Sequence, residues 1–142
     1  MPARGSRRDL LVDTSVAVAL TVADHEHHKA TVQALGDRRL GLAGHAAFET
    51  FSVLTRLPAP ARRTPSAVAR LLVAGFPHSR FLSADATAAL FTELHALGIA
   101  GGGVYDALVG ASAREHGLTL ATRDRRALET YRAVDVRVEL VS

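Results

Sequence analysis

Short apolar runs alternate with stretches of helical period along almost the whole of this chain, and the first such run ends on a carboxylate. Leu10-Leu11-Val12 has the aliphatic density of a strand buried on both faces, and it stops at Asp13. Residues 40–43, 80–82, 118–121 and 136–141 read as further strands, five in all. Between them the spacing predicts helices over residues 16–22, 24–35, 46–57, 85–97 and 104–116, and another opened by Thr64 and Pro65. Gly36, Gly98 and Gly117 stand where helices should stop, and Pro58 ends the third. This alternation predicts an α/β fold: a parallel-sheet α/β/α sandwich of about five strands flanked by helices. In open sheets of that kind, sites form beyond the carboxyl ends of the strands. Asp13 ends the first strand and Asp124 lies just past the fourth, so topology alone delivers two acids to one rim.

Residues 1–142 read as a single domain, with residues 1–8 a short basic tail, because no repeat, low-complexity tract or linker breaks the pattern. At 48% hydrophobic and 22% charged residues, the composition suits a soluble protein with a sizeable core. Cysteine is absent. That excludes disulfides, thiol nucleophiles and thiolate metal sites, and it accords with a reducing compartment. The net charge is +3, and Lys29 is the only lysine among 17 basic residues. Arginine's planar fork bonds two phosphate oxygens at once, so the charge permits a nucleic-acid partner without requiring one. Arg4, Arg7 and Arg8 ahead of an apolar stretch imitate a signal peptide, but Asp9 and Asp13 interrupt it. No other apolar run approaches the roughly 20 residues of a membrane span. The expectation is a cytoplasmic protein with no membrane partner.

Two further acids sit where they are costly. Glu49 lies in Ala46-Ala47-Phe48-Glu49-Thr50-Phe51, and Asp106 in Gly103-Val104-Tyr105-Asp106-Ala107-Leu108. Neither has a lysine or arginine three or four residues away to pair with it. Gathered into one pocket, Asp13, Glu49, Asp106 and Asp124 would repel one another and raise their own pKa values, and a divalent cation would reverse that penalty. Oxygen ligands without thiolates suit magnesium or manganese better than zinc. Such a cage activates water and steadies the charge on a phosphodiester under attack. One acid alone would more often be an ordinary solvated residue. Asp13 differs because it interrupts a core strand.

Leu11-Val12-Asp13-Thr14-Ser15, Phe48-Glu49, Val104-Tyr105-Asp106-Ala107-Leu108 and Leu120-Ala121-Thr122-Arg123-Asp124, in that order and spacing, resemble the PIN-domain ribonucleases. The likeness is strongest to the VapC branch, the toxins of toxin–antitoxin pairs. It implies that Asp13, Asp106 and Asp124 are metal ligands, directly or through water, with Glu49 completing a catalytic set of four. It implies that Thr14, Ser15 and Thr122 hold carboxylates through their hydroxyls. The implied reaction is endonucleolytic hydrolysis of RNA, of the tRNA or rRNA class, leaving a 5′-phosphate and a 3′-hydroxyl with Mg2+ or Mn2+ as cofactor. A homodimer and a cognate VapB-type antitoxin are implied partners. Some members carry a further acid after the fourth, where this chain has Arg125 and Arg126; the departure argues against a tightly held second metal.

Arg123, Arg125 and Arg126 flank the fourth acid and are candidates for contact with RNA phosphate, with Arg62, Arg63 and the Arg4–Arg8 tail as a wider basic footprint. Asp24-His25-Glu26-His27-His28 lacks the His-Glu-x-x-His spacing of a helical zinc site and reads as an exposed helix start. Gly101-Gly102-Gly103 is no phosphate-binding P-loop, because no Gly-Lys-Ser/Thr follows. A phosphotransfer receiver domain needs a lysine after a late strand, and an Asp-x-Asp phosphatase needs an acid where Ser15 stands. A PIN nuclease of RNA processing, or a silent domain that only binds a partner, shares the same four acids and stays open at this point.

Overall fold

The computed structural model describes residues 9–142; the basic tail, residues 1–8, lies outside the described residues. Four parallel strands form one sheet: β1 (Asp9–Val12), β2 (Arg39–Leu42), β3 (Leu120–Thr122) and β4 (Val138–Leu140), in the order β2-β1-β3-β4. Among the described residues seven α-helices accompany them: α1 (Thr14–Thr21), α2 (His28–Leu35), α3 (His45–Thr55), α4 (Pro65–Gly75), α5 (Ala84–Glu93), α6 (Gly103–Glu115) and α7 (Leu128–Ala133). The α/β sandwich expected from the alternation is the fold observed.

The two faces of β1 explain why its sequence shows no polar alternation. Leu10 and Val12 enter a core with Val16 and Ala17 of α1, Leu35 of α2, Leu54 of α3 and Val68 and Leu72 of α4. Leu11 points the other way, into a core with Val109 and Ala113 of α6 and Tyr131 of α7. Both faces are buried, so every position from Leu10 is apolar until Asp13. Leu11 pairs with Gly41 on one side and Leu120 on the other, which puts β1 inside the sheet with a neighbour on each edge. The chain leaves β1 toward β2 and later returns to β1's other edge as β3, creating the switch point at which α/β sheets place their sites.

Residues 80–82 do not form the expected strand. They make one parallel bridge, Ala43 to Arg80, and the sheet has four strands rather than five. Residues 78–80 do run along β2 through backbone bonds, His78 N to the Leu40 carbonyl (3.2 Å), Arg80 N to the Leu42 carbonyl (3.1 Å) and Gly44 N to the Arg80 carbonyl (2.7 Å). One rung goes to a side chain, the Leu42 amide donating to Ser79 Oγ (2.8 Å) and that hydroxyl to the Phe76 carbonyl (2.9 Å), and beyond Arg80 the partner backbone has already turned into α3 at His45. Ser83 then caps α5 by accepting from the Ala86 amide, so the chain turns away after two residues. The last two strands are also shorter than their apolar runs.

The helix starts show which local signals prevailed. Thr64 accepts from the Ala67 amide with Pro65 in the first turn, as its sequence demands. Residues 24–27 are turns rather than a helix start, because the His25 amide bonds the Val22 carbonyl and the His28 amide bonds the His25 carbonyl. Helix α7 and the 3-10 turn before it (Arg125–Ala127) have no counterpart among the expected elements. At six residues, α7 is too short to show a period.

Candidate active site

Asp13 is 5% exposed and directly follows β1. Its backbone remains tied to the sheet, the amide donating to the Ala121 carbonyl (3.1 Å). Its side chain caps α1, with Oδ1 accepting from the Val16 amide (3.2 Å) and from Ser15 Oγ (2.6 Å). Oδ2 accepts from the Thr122 hydroxyl and from Tyr131 Oη (2.8 Å). Each oxygen therefore accepts two bonds, which replace the water that a carboxylate loses at the centre of a fold.

The same hydroxyls order the next strand end. Ser15 Oγ accepts from the Arg123 amide (2.8 Å), and Thr122 Oγ1 from the Asp124 amide (3.0 Å). The end of β1 is thereby stitched to the turn carrying Asp124. Asp124 caps the 3-10 turn by accepting from the Arg126 amide (3.0 Å). Thr14 Oγ1 donates to Glu49 Oε1 (3.2 Å), linking the start of α1 to α3. Thr14, Ser15 and Thr122 thus each donate a hydroxyl to one of the four acids.

Asp106, in the first turn of α6, shows that the four acids occupy one field. Its carboxyl is pushed up from 3.8 to about 6, first by burial and then by the negative charges of Asp124, Glu49 and Asp13; Arg126 opposes the shift weakly. The charges of Asp13, Glu49 and Asp124, from three other segments, thus all reach Asp106. Burial and three neighbouring acids also push the Tyr131 hydroxyl far up, so it remains a neutral donor to Asp13.

Tyr131 is the functional side chain that the sequence reading misses. It is 1% exposed, and its only sequence signal is an aromatic residue with a polar tip, seven positions after Asp124. The arginines disperse. Arg123 reaches back to Thr31 Oγ1 on α2 (3.4 Å), Arg125 is exposed, and Arg126 Nε lies 3.5 Å from Asp124 Oδ1 while 93% exposed. Arg63 is tied to the Thr21 carbonyl and Arg62 to the Leu57 carbonyl, both away from the acids. In the histidine run, His27 pairs with Glu26 (3.2 Å) and His28 Nδ1 lies 2.9 Å from the Ala19 carbonyl.

Among the described residues no three histidine or acidic side chains stand close enough together to hold a metal ion. The donor chemistry nevertheless fits a hard divalent cation. All the donors are oxygens, Asp13 and Asp106 are withdrawn from bulk water, and among the described residues the cation acting on Asp106 is an almost fully exposed arginine.

The chain matches the family model described as "PIN domain" over residues 10–133. It is 48% identical over 129 residues to "Ribonuclease VapC27" of Mycobacterium tuberculosis, covering 91% of this chain and 94% of that one. It is likewise 48% identical over 132 residues to "Ribonuclease VapC40" of the same organism, covering 92% and 97%. Two solved structures share the fold. The crystal structure of VapBC2 from Rickettsia felis bound to a promoter DNA fragment matches with a TM-score of 0.67 at 14% identity, covering 94% of this chain and 99% of that one. FitAcB from Neisseria gonorrhoeae matches with a TM-score of 0.64 at 20% identity, covering 91% and 95%.

Proposed function

The chain belongs to the PIN-domain family, in its VapC-type branch, and from that premise we propose that it is a metal-dependent endoribonuclease, the toxin of a toxin–antitoxin pair. The observation that carries the reading is the buried Asp13 carboxylate, held by Ser15, Thr122 and Tyr131 at the junction of β1 with the turn carrying Asp124, with Thr14 bonding Glu49 and with Asp106 pushed up to about 6 by burial and the other three acids.

Asp13, Asp106 and Asp124 would hold a magnesium or manganese ion, with Glu49 completing the set. When bound, such an ion supplies Lewis acidity and lowers the pKa of its water toward neutrality. The chain's own side chains prepare the rest. Ser15, Thr122 and Tyr131 fix the Asp13 carboxylate from two sides, and Thr14 steadies Glu49. Asp106 carries its proton to about pH 6 and is a full carboxylate only above that. Arg126, exposed beside Asp124, is placed to meet an incoming phosphate.

A VapB-type antitoxin that covers the acids, and a homodimeric state, belong to the same proposal. No helix of the described residues is long and apolar enough to cross a membrane, and we place the activity in the cytoplasm, where its RNA substrate is. The test is RNA cleavage by the purified protein in Mg2+ or Mn2+, abolished by EDTA and lost in Asp13→Asn. Cleavage that survives either treatment overturns the proposal.

A further inference from the structure

A row of aromatic rings starts beside the two helix-borne acids. His45 stacks on Tyr105 with ring centroids 5.1 Å apart and planes inclined at 22°. Phe48 lies 6.5 Å from His45, and Phe81 meets Phe48 edge-on at 6.2 Å. Sequence spacing accounts for part of this. His45, Phe48 and Glu49 are three and four residues apart on α3 and share one face. Tyr105 immediately precedes Asp106 in the first turn of α6. The His45–Tyr105 stack therefore joins the first turns of the two helices that carry Glu49 and Asp106.

These rings are not core. Phe48 is 65% exposed, Tyr105 51% and Phe81 50%. Single exposed aromatics need no explanation, but a contiguous patch of them marks a surface that meets something. Resting on the nuclease reading above, we propose that the row Tyr105–His45–Phe48–Phe81 is a stacking platform for unpaired bases of the RNA strand whose phosphodiester lies at the acids.

The chemistry favours this occupant. A phosphodiester held at Glu49 and Asp106 brings its neighbouring nucleotides against the residues next to those acids. The acids repel the rest of a phosphate backbone, and of the arginines flanking Asp124, Arg123 is turned toward α2. Arg126 can meet a phosphate beside Asp124, but affinity for the bases themselves comes from uncharged groups. Ring faces supply it, because every base has a π face and stacking tolerates any sequence. Paired bases are hidden within an A-form helix, so the platform selects loops and single strands. His45 and Tyr105, the rings nearest the acids, carry polar tips that suit base edges, while Phe48 and Phe81 also border an apolar groove lined by Phe51, Leu72, Val73 and Phe76.

The experiment compares binding of a short single-stranded oligoribonucleotide, labelled with a fluorescent adenine analogue, with binding of an abasic chain of equal length. Phe48→Ala and Tyr105→Ala should each weaken the base-bearing strand about tenfold, the equivalent of about 1.4 kcal/mol, and leave the abasic chain unaffected. Phe48→Trp and Tyr105→Phe, which keep the rings, should retain both the affinity and the quenching of the analogue. Cleavage by the unaltered protein together with unchanged affinity in the alanine variants overturns the platform and leaves the nuclease standing. Alanine variants that become monomeric by sedimentation while RNA affinity holds assign the rings to a second copy of the chain and also overturn it. An unaltered protein that neither binds nor cuts RNA overturns both readings.

Discussion

Replacing Asp106 with asparagine should stabilise the metal-free protein, and by an amount that depends on pH. The native carboxyl titrates near 6 in the fold against 3.8 as its ordinary value. At about 1.36 kcal/mol per pKa unit that difference corresponds to about 3 kcal/mol. Because the side chain is only partly buried, solvent screening reduces the usable figure to about 1–2 kcal/mol. Below pH 3.8 the group is protonated in both folded and unfolded chains and contributes nothing. Between 3.8 and about 6 the unfolded chain releases this proton while the folded one keeps it, so stability falls as pH rises. Above about 6 the loss is complete. The substituted amide has no such proton to release. In EDTA, Asp106→Asn should therefore match the native protein near pH ~4 and exceed it near pH ~8 by about 1–2 kcal/mol, roughly 3–6 °C in Tm for a chain of this size. Paired urea or thermal unfolding at the two pH values reads the difference. A variant less stable than the native protein at the higher pH, or a difference that ignores pH, would refute the picture of four acids in one field.

Magnesium or manganese should reverse that ranking, raising native stability by about 2.7 kcal/mol at roughly a hundredfold excess over Kd and leaving Asp13→Asn nearly unmoved; calorimetry in millimolar metal checks it. Tyr131→Phe removes a buried donor to a carboxylate and should cost about 1.5–3 kcal/mol in denaturant unfolding; an unchanged midpoint would show that the remaining donors suffice. Gly44→Ala should cost at least about 2 kcal/mol, because Gly44 sits at φ +52° and an added Cβ would clash with the Ser112 hydroxyl. A soluble Gly44→Ala protein of native Tm would contradict that geometry.

Sequence by itself determined the strands with two buried faces, the alternation that forces a parallel sheet, and the four acids as residues set apart from their surroundings. All of these are local. Apolar density at Leu10-Leu11-Val12, the cap at Thr64-Pro65 and the missing cation near Glu49 or Asp106 are each visible within one or two helical turns. Tertiary structure decided what depends on contacts through space. Pairing along residues 78–80 stops after Arg80 because the partner chain turns at Gly44 into α3, and no periodicity in residues 80–82 records where a distant partner ends. Tyr131 bonds Asp13 across 118 residues of sequence, and Thr122 does so across 109. The aromatic row joins α3, α6 and the segment before α5. Helical and strand periods tell which face a residue takes; which partner it meets there is fixed only when the sheet brings distant segments together and excludes the water between them.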